Sequence, residues 1–105
     1  MPDTKRVRPA ITREMRLVSR LIETSPEVSD TSLAQFIARR RNPDAGPHSW
    51  NEISHALTPV INEIVTEGTL RKWAAAYGIP DRGPRIKLTP REFANGLKAA
   101  GITLD

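Results

Sequence analysis

VTEGTLRKWAAAYGIP, Val65 to Pro80, carries the signals of one short helix. Leu70, Trp73, Ala74 and Tyr77 fall at i, i+3, i+4 and i+7, the spacing of a single buried face. Thr66 or Thr69 can cap its start. Gly78 stands where a left-handed C′ residue belongs, Ile79 can fold back on Ala74, and Pro80 stops the chain. Glu67, Gly68, Arg71, Lys72, Ala75 and Ala76 are left to face outward. Arg71 and Lys72 lie in the early turns, where the helix dipole disfavours cations. A helix that departs from its own local rule answers to something outside itself.

Reading toward the N-terminus, HSWNEISHALTPVINEIV opens with Ser49-Trp50-Asn51-Glu52, a capping box. Trp50, Ile53 and Leu57 share one face. Pro59 is expected to end or kink this helix near Leu57 or Thr58. Val60 to Val65 reads either as a further helical turn or as an extended link. Before it, SDTSLAQFIARRR forms a helix with Asp30 as its cap and Leu33, Phe36 and Ile37 inward. Arg39, Arg40 and Arg41 close that helix, at the end where cations suit the dipole. An earlier helix, ITREMRLVSRLIET, is capped by Thr12 and followed by Pro26, with Met15, Val18, Leu21 and Ile22 on one face. Arg13, Arg16 and Arg20 form a second stripe on it. Residues 1–11 read as a flexible basic arm.

Toward the C-terminus, DRGPRIKL is a linker in which Ile86 and Leu88 alternate with cations, as in a short strand. Thr89-Pro90-Arg91-Glu92 joins a capping box to a proline at the first helical position. Phe93, Leu97 and Ala100 face inward, and Gly101 ends the helix. The expected fold is therefore all-α. It has about five short helices with a central three-helix unit over residues 30–79, and at most one minor strand pair. Residues 12–105 form one domain.

The 105 residues suffice for one core. With no cysteine, disulfides, thiolate catalysis and most structural zinc sites are excluded. No apolar run spans a bilayer, and the N-terminus lacks an apolar signal core, so a cytoplasmic protein is expected. No Ser/His/Asp order, phosphate-cradling glycine loop or metal-ligand spacing is present, and neither enzyme activity, cofactor nor metal is expected. The net charge is +4, and twelve of the sixteen cations are arginine, whose planar fork matches phosphates and the guanine edge.

The segment HSWNEISHAL…VTEGTLRKWAAAYGI resembles helix-turn-helix segments of the homeodomain-like, transposase type, small examples of which occur in actinobacteria and their phages. The resemblance rests on Trp50, Ile53, Leu57, Thr66, Thr69, Leu70 and Trp73, and covers about half of the chain. One departure is the link from Leu57 to Thr66, longer than a tight turn. The resemblance implies duplex DNA as partner, with the helix over about 66–77 in the major groove. Glu67, Gly68, Thr69, Arg71 and Lys72 are then base-proximal. Ser49, Thr66, Arg39, Arg40 and Arg41 are phosphate contacts, and Lys5, Arg6 and Arg8 a minor-groove arm. The role is that of a small regulator or a DNA-targeting subunit. A reader this small calls for a homodimer, and the C-terminal helix, with Phe93, Leu97, Ile102 and Leu104, is the candidate contact. The rival reading is a protein–protein adaptor, or an inhibitor of a host protein, with Trp73 or Phe93 exposed in a groove.

Overall fold

A computed structural model describes residues 11–45, 48–81 and 88–104. Thr12, Ser49 and Thr89 each close a reciprocal capping box. They start α1 (Arg13–Thr24), α3 (Trp50–Ile61) and α5 (Pro90–Ala100). Ser32 caps α2 (Leu33–Arg41), and Thr66 caps α4 (Glu67–Tyr77). A 3₁₀ turn, Pro43–Ala45, follows α2. The fold is all-α, with no strand among the described residues. The expected strand around Ile86 and the basic arm with Lys5, Arg6 and Arg8 lie outside the described residues, apart from Ile11 and Leu88. No helix is long and apolar enough to cross a membrane among the described residues.

The core forms where α1 packs on α2 and α3, and α4 packs on the same two helices. Phe36, Ile37, Ile53, Leu57 and Leu70 have no exposed surface, and both tryptophans are buried. Phe93 and Leu97 bring α5 into this core. The α4 C-terminus closes as the sequence predicts. Gly78 adopts φ 83°, its N–H donates to Ala75, and the Ile79 N–H donates to Ala74. Gly96 lets α5 approach the chain after α4. A β-carbon there would lie 2.1 Å from Pro80 Cγ.

Four expectations are corrected. Asp30 is not the cap of α2. Ser32 takes that place, and Asp30 is buried against Arg39 and Arg40. The α3 helix does not end before Pro59 but runs one turn beyond the expected stop, to Ile61. Pro59 is exposed and close to the helix end. It removes only the hydrogen bond to His55 there, while Val60 and Ile61 gain contact with the core. Asn62, at φ 59°, then reverses the chain, so residues 62–66 alone connect α3 to α4. Leu21 is exposed, because α1 is sealed by Met15, Val18 and Ile22 instead. Ala76 is buried rather than outward-facing.

Pro59→Ala restores a backbone donor on an exposed face. It is expected to raise the unfolding free energy by about 1 kcal/mol, less than the full interior proline penalty, because proline also restricts the unfolded chain. A chemical denaturation curve with no gain in midpoint would show that Pro59 is strain-free.

Candidate nucleic-acid interface

The outward face of α4 borders a cleft of about 500 Å³ lined by Arg41, Ser49, Asn51, Glu67, Arg71 and Asp81, with Trp50 at its floor. Three segments build it. The capping box positions Ser49 and Asn51 at the start of α3. The Leu70–Trp73–Ala74 stripe holds α4 so that Glu67 and Arg71 point away from the core. Arg41 comes from the end of α2.

Arg71 and Glu67 are both about half exposed and stand 4.0 Å apart, a loose pair along one helix face. Lys72 is exposed, and among the described residues it has no ion-pair partner. Gly68 is exposed in the first turn, and a β-carbon there would meet nothing within 4 Å. The fold itself therefore sets no requirement for glycine at this position. Thr66 donates its hydroxyl to Thr69 Oγ1 at 3.0 Å and accepts from the Thr69 N–H at 3.3 Å. Thr69 is half buried on the side of α4 turned toward α1.

Ser49 is more occupied. Its N–H donates to Glu52 Oε1 at 2.7 Å, and its hydroxyl oxygen accepts from the Glu52 N–H at 3.1 Å. The donated Ser49 N–H holds the Glu52 carboxyl below the usual carboxylate range, against the small opposing effect of burial. Glu52 is thus ionised at neutral pH, and only the Ser49 hydroxyl proton is left for an external acceptor.

The arginine trio is largely committed to internal partners. Arg40 Nη1 donates to Asp30 Oδ2 at 3.1 Å and to the Phe36 carbonyl at 3.0 Å, and its guanidinium lies 3.8 Å from the Phe36 ring centre. Arg39 Nη2 donates to the Leu104 carbonyl at 2.7 Å. Its Nε lies 3.3 Å from Asp30 Oδ1, at ion-pair distance without hydrogen-bond alignment. Arg41 donates to the His48 carbonyl and to Asp81, both at 2.9 Å, and stacks over Trp50. Of the three, Arg41 alone lines the cleft.

The cleft thus joins Arg41, Ser49, Glu67 and Arg71 from the sequence reading. It leaves Arg39 and Arg40 outside and places Thr66 and Thr69 on the other flank of α4. Sequence reasoning missed Asn51 and also Asp81, which pairs with Arg41 from forty residues away and left no local signal. Asn51 did leave one. Its signal was its position between the inward-facing Trp50 and Ile53 on a capped helix, which leaves it no inward direction. The dimer contact expected through the C-terminal helix loses its free anchors. Phe93 and Leu97 are buried, and Ile102 and Leu104 pack half-buried against the core. Gln35 Nε2 binds the Thr103 carbonyl at 2.9 Å and, with Arg39, fastens this tail to α2. No group of three or more metal-ligating side chains occurs among the described residues. Comparison with family models, curated proteins and solved structures yields no match to this chain.

Proposed function

We propose that the protein binds duplex DNA in the manner of a homeodomain-like helix-turn-helix, with α4 in the major groove. The observation that carries this reading is the cleft in which Arg41, Ser49, Glu67 and Arg71, chosen from three separated stretches of sequence, converge beside the bare ridge of α4. Arg71 and Lys72 reach base edges or phosphates. Glu67 accepts from a cytosine amine or orients Arg71, and Gly68 allows close approach. Asn51, the Ser49 hydroxyl and Arg41 flank α4 toward one phosphate backbone. Arg39 and Arg40 hold the fold and drop out of the phosphate set. The biological role is that of a small regulator or a DNA-targeting subunit.

The short connection over residues 62–66 supports this reading, since a helix-turn-helix joins its two helices by a short turn. The adaptor alternative loses its proposed anchors, because Trp73 and Phe93 are 5% and 2% exposed.

The test is fluorescence anisotropy of a labelled random duplex across a salt series. Each neutralised phosphate contributes about −0.9 to the slope of log K against log salt, so a slope of about −2 is expected from Arg71 and Lys72, Arg41 being paired with Asp81. Absence of binding at low salt would overturn the proposal.

A further inference from the structure

The charges that line the cleft beside α4 cancel. Two arginines and two carboxylates line it, and each cation faces one acid. Arg71 stands 4.0 Å from Glu67, a loose pair between exposed groups. Arg41 and Asp81 are closer, at 2.9 Å, and hydrogen-bonded. At the start of α3, Glu52 is turned to the Ser49 N–H, and His48 meets Arg41 through its carbonyl. One of the two arginines aimed at a phosphate backbone is therefore already neutralised.

The geometry around Arg41 separates its holders from its occupant. Its Nη1 donates to the His48 carbonyl at 2.9 Å, and its guanidinium lies 4.6 Å from the Trp50 ring centre. These two contacts fix the plane of the fork. Its Nη2 donates to Asp81 Oδ1. The backbone at Asp81 is anchored without that bond, because Ile79 is buried and Pro80 packs against Gly96 of α5. Asp81 caps no helix among the described residues. The side chains of Arg41 and Asp81 keep 21% and 26% of their surface in solvent, so an incoming anion can reach the pair.

We propose that Asp81 is the resident anion of a phosphate site. Its carboxylate holds the place on Arg41 Nη2 that a phosphate oxygen of duplex DNA takes, and so withholds this arginine from sequence-independent binding. The inference rests on the DNA reading for its partner. Without the Asp81 charge, Arg41 keeps the carbonyl and the ring, stays in place and offers Nη2 to a phosphate, an anion that the arginine fork fits. Exchanging one anion for another gains little, whereas filling a vacated fork adds a full phosphate contact.

Duplex anisotropy across the salt series, with Asp81→Asn, Arg41→Gln and the double variant, is the first arm of the test. Asp81→Asn keeps the size of the side chain. It is expected to bind a random duplex about five- to tenfold more tightly at about 0.1 M salt and to steepen the slope by about 0.9, from about −2 to about −3. In the Arg41→Gln background the same substitution is expected to lose most of this gain. The second arm contains no duplex and needs no substitution at Arg41, which also packs on Trp50. Arg41 Nε is buried and has no hydrogen-bond partner, so its N–H is shielded from exchange and can be followed by nuclear magnetic resonance. Inorganic phosphate, titrated at constant ionic strength, is expected to shift this signal in Asp81→Asn and to leave it in place in the wild type. The proposal is overturned by an Asp81→Asn that binds duplex as the wild type does, by an equal gain in the Arg41→Gln background, or by phosphate moving the wild-type signal as far as that of the variant. If no protein binds duplex while phosphate shifts the Asp81→Asn signal, the DNA reading falls and the masked phosphate site stands.

Discussion

Asp30→Ala is expected to lower the unfolding free energy by about 2–3 kcal/mol, toward the lower end for breaking a buried ion pair. Asp30 has a side chain only 3% exposed and faces two guanidiniums, Arg40 at 3.1 Å and Arg39 at 3.3 Å. Removing it leaves two cations around an apolar void beside Phe36. The loss is tempered because Arg39 and Arg40 keep 37% and 21% of their side-chain surface in solvent and can turn outward. Arg39 also grips the Leu104 carbonyl, so its release loosens the C-terminal tail. Two measurements check this: urea unfolding, and hydrogen exchange across residues 101–104, where protection should fall with the mutation. Asp30→Asn keeps the shape and one acceptor and should cost about half as much. A double-mutant cycle between Asp30→Ala and Arg40→Ala should return a coupling of about 1–2 kcal/mol. A loss below about 0.5 kcal/mol for Asp30→Ala, the range of an ordinary surface change, would mean that the pairing does not hold the fold.

The same residue shows where sequence reading stops. Three of the five helix caps, at Thr12, Ser49 and Thr89, were legible because a cap and its partner lie three residues apart, and Thr66 was one of two candidates, with Thr69, for a fourth. The Schellman end at Gly78 and Ile79 is equally local. Asp30 has the chemistry of a cap too, but its partners are nine and ten residues away and reach it only after α2 has formed and docked. Pro59 was misjudged for a related reason. The helix end is decided by whether Val60 and Ile61 find the core, which is a tertiary fact. The choice between Leu21 and Ile22 on α1 depends on the angle at which α1 meets α2 and α3, and periodicity does not encode it. In the candidate interface, the outward position of Glu67, Arg71 and Lys72 followed from the inward stripe opposite them. The internal commitment of Arg39 and Arg40 did not, because it runs through Asp30 and the carbonyl of Leu104.

Arg71→Ala/Lys72→Ala is expected to weaken duplex binding by about 10- to 100-fold at moderate salt, and to make the salt slope shallower by up to about 1.8. Neither side chain is needed by the fold. Both are exposed, and the Arg71–Glu67 pair, at 4.0 Å between exposed groups, contributes at most a few tenths of a kcal/mol. Both cations stand past the first turn of α4, where the dipole has little hold on them, and alanine is the better helix former. Their removal should leave stability unchanged or slightly raised. Gly68→Ala extends the argument to a site with no charge. Its β-carbon meets nothing within 4 Å, and alanine favours a helix by about 0.5–1 kcal/mol over glycine. The substitution should therefore stabilise the free protein. In the proposed complex with DNA, the same methyl would stand between α4 and the groove, and binding should weaken. Affinity is thus expected to fall with no loss of stability for two unrelated kinds of substitution on one ridge, and with a gain in stability for Gly68→Ala. A merely solvated helix face would show the stability gain alone. If both variants bind as the wild type does, α4 does not enter the groove, and any DNA contact lies on another face of the protein.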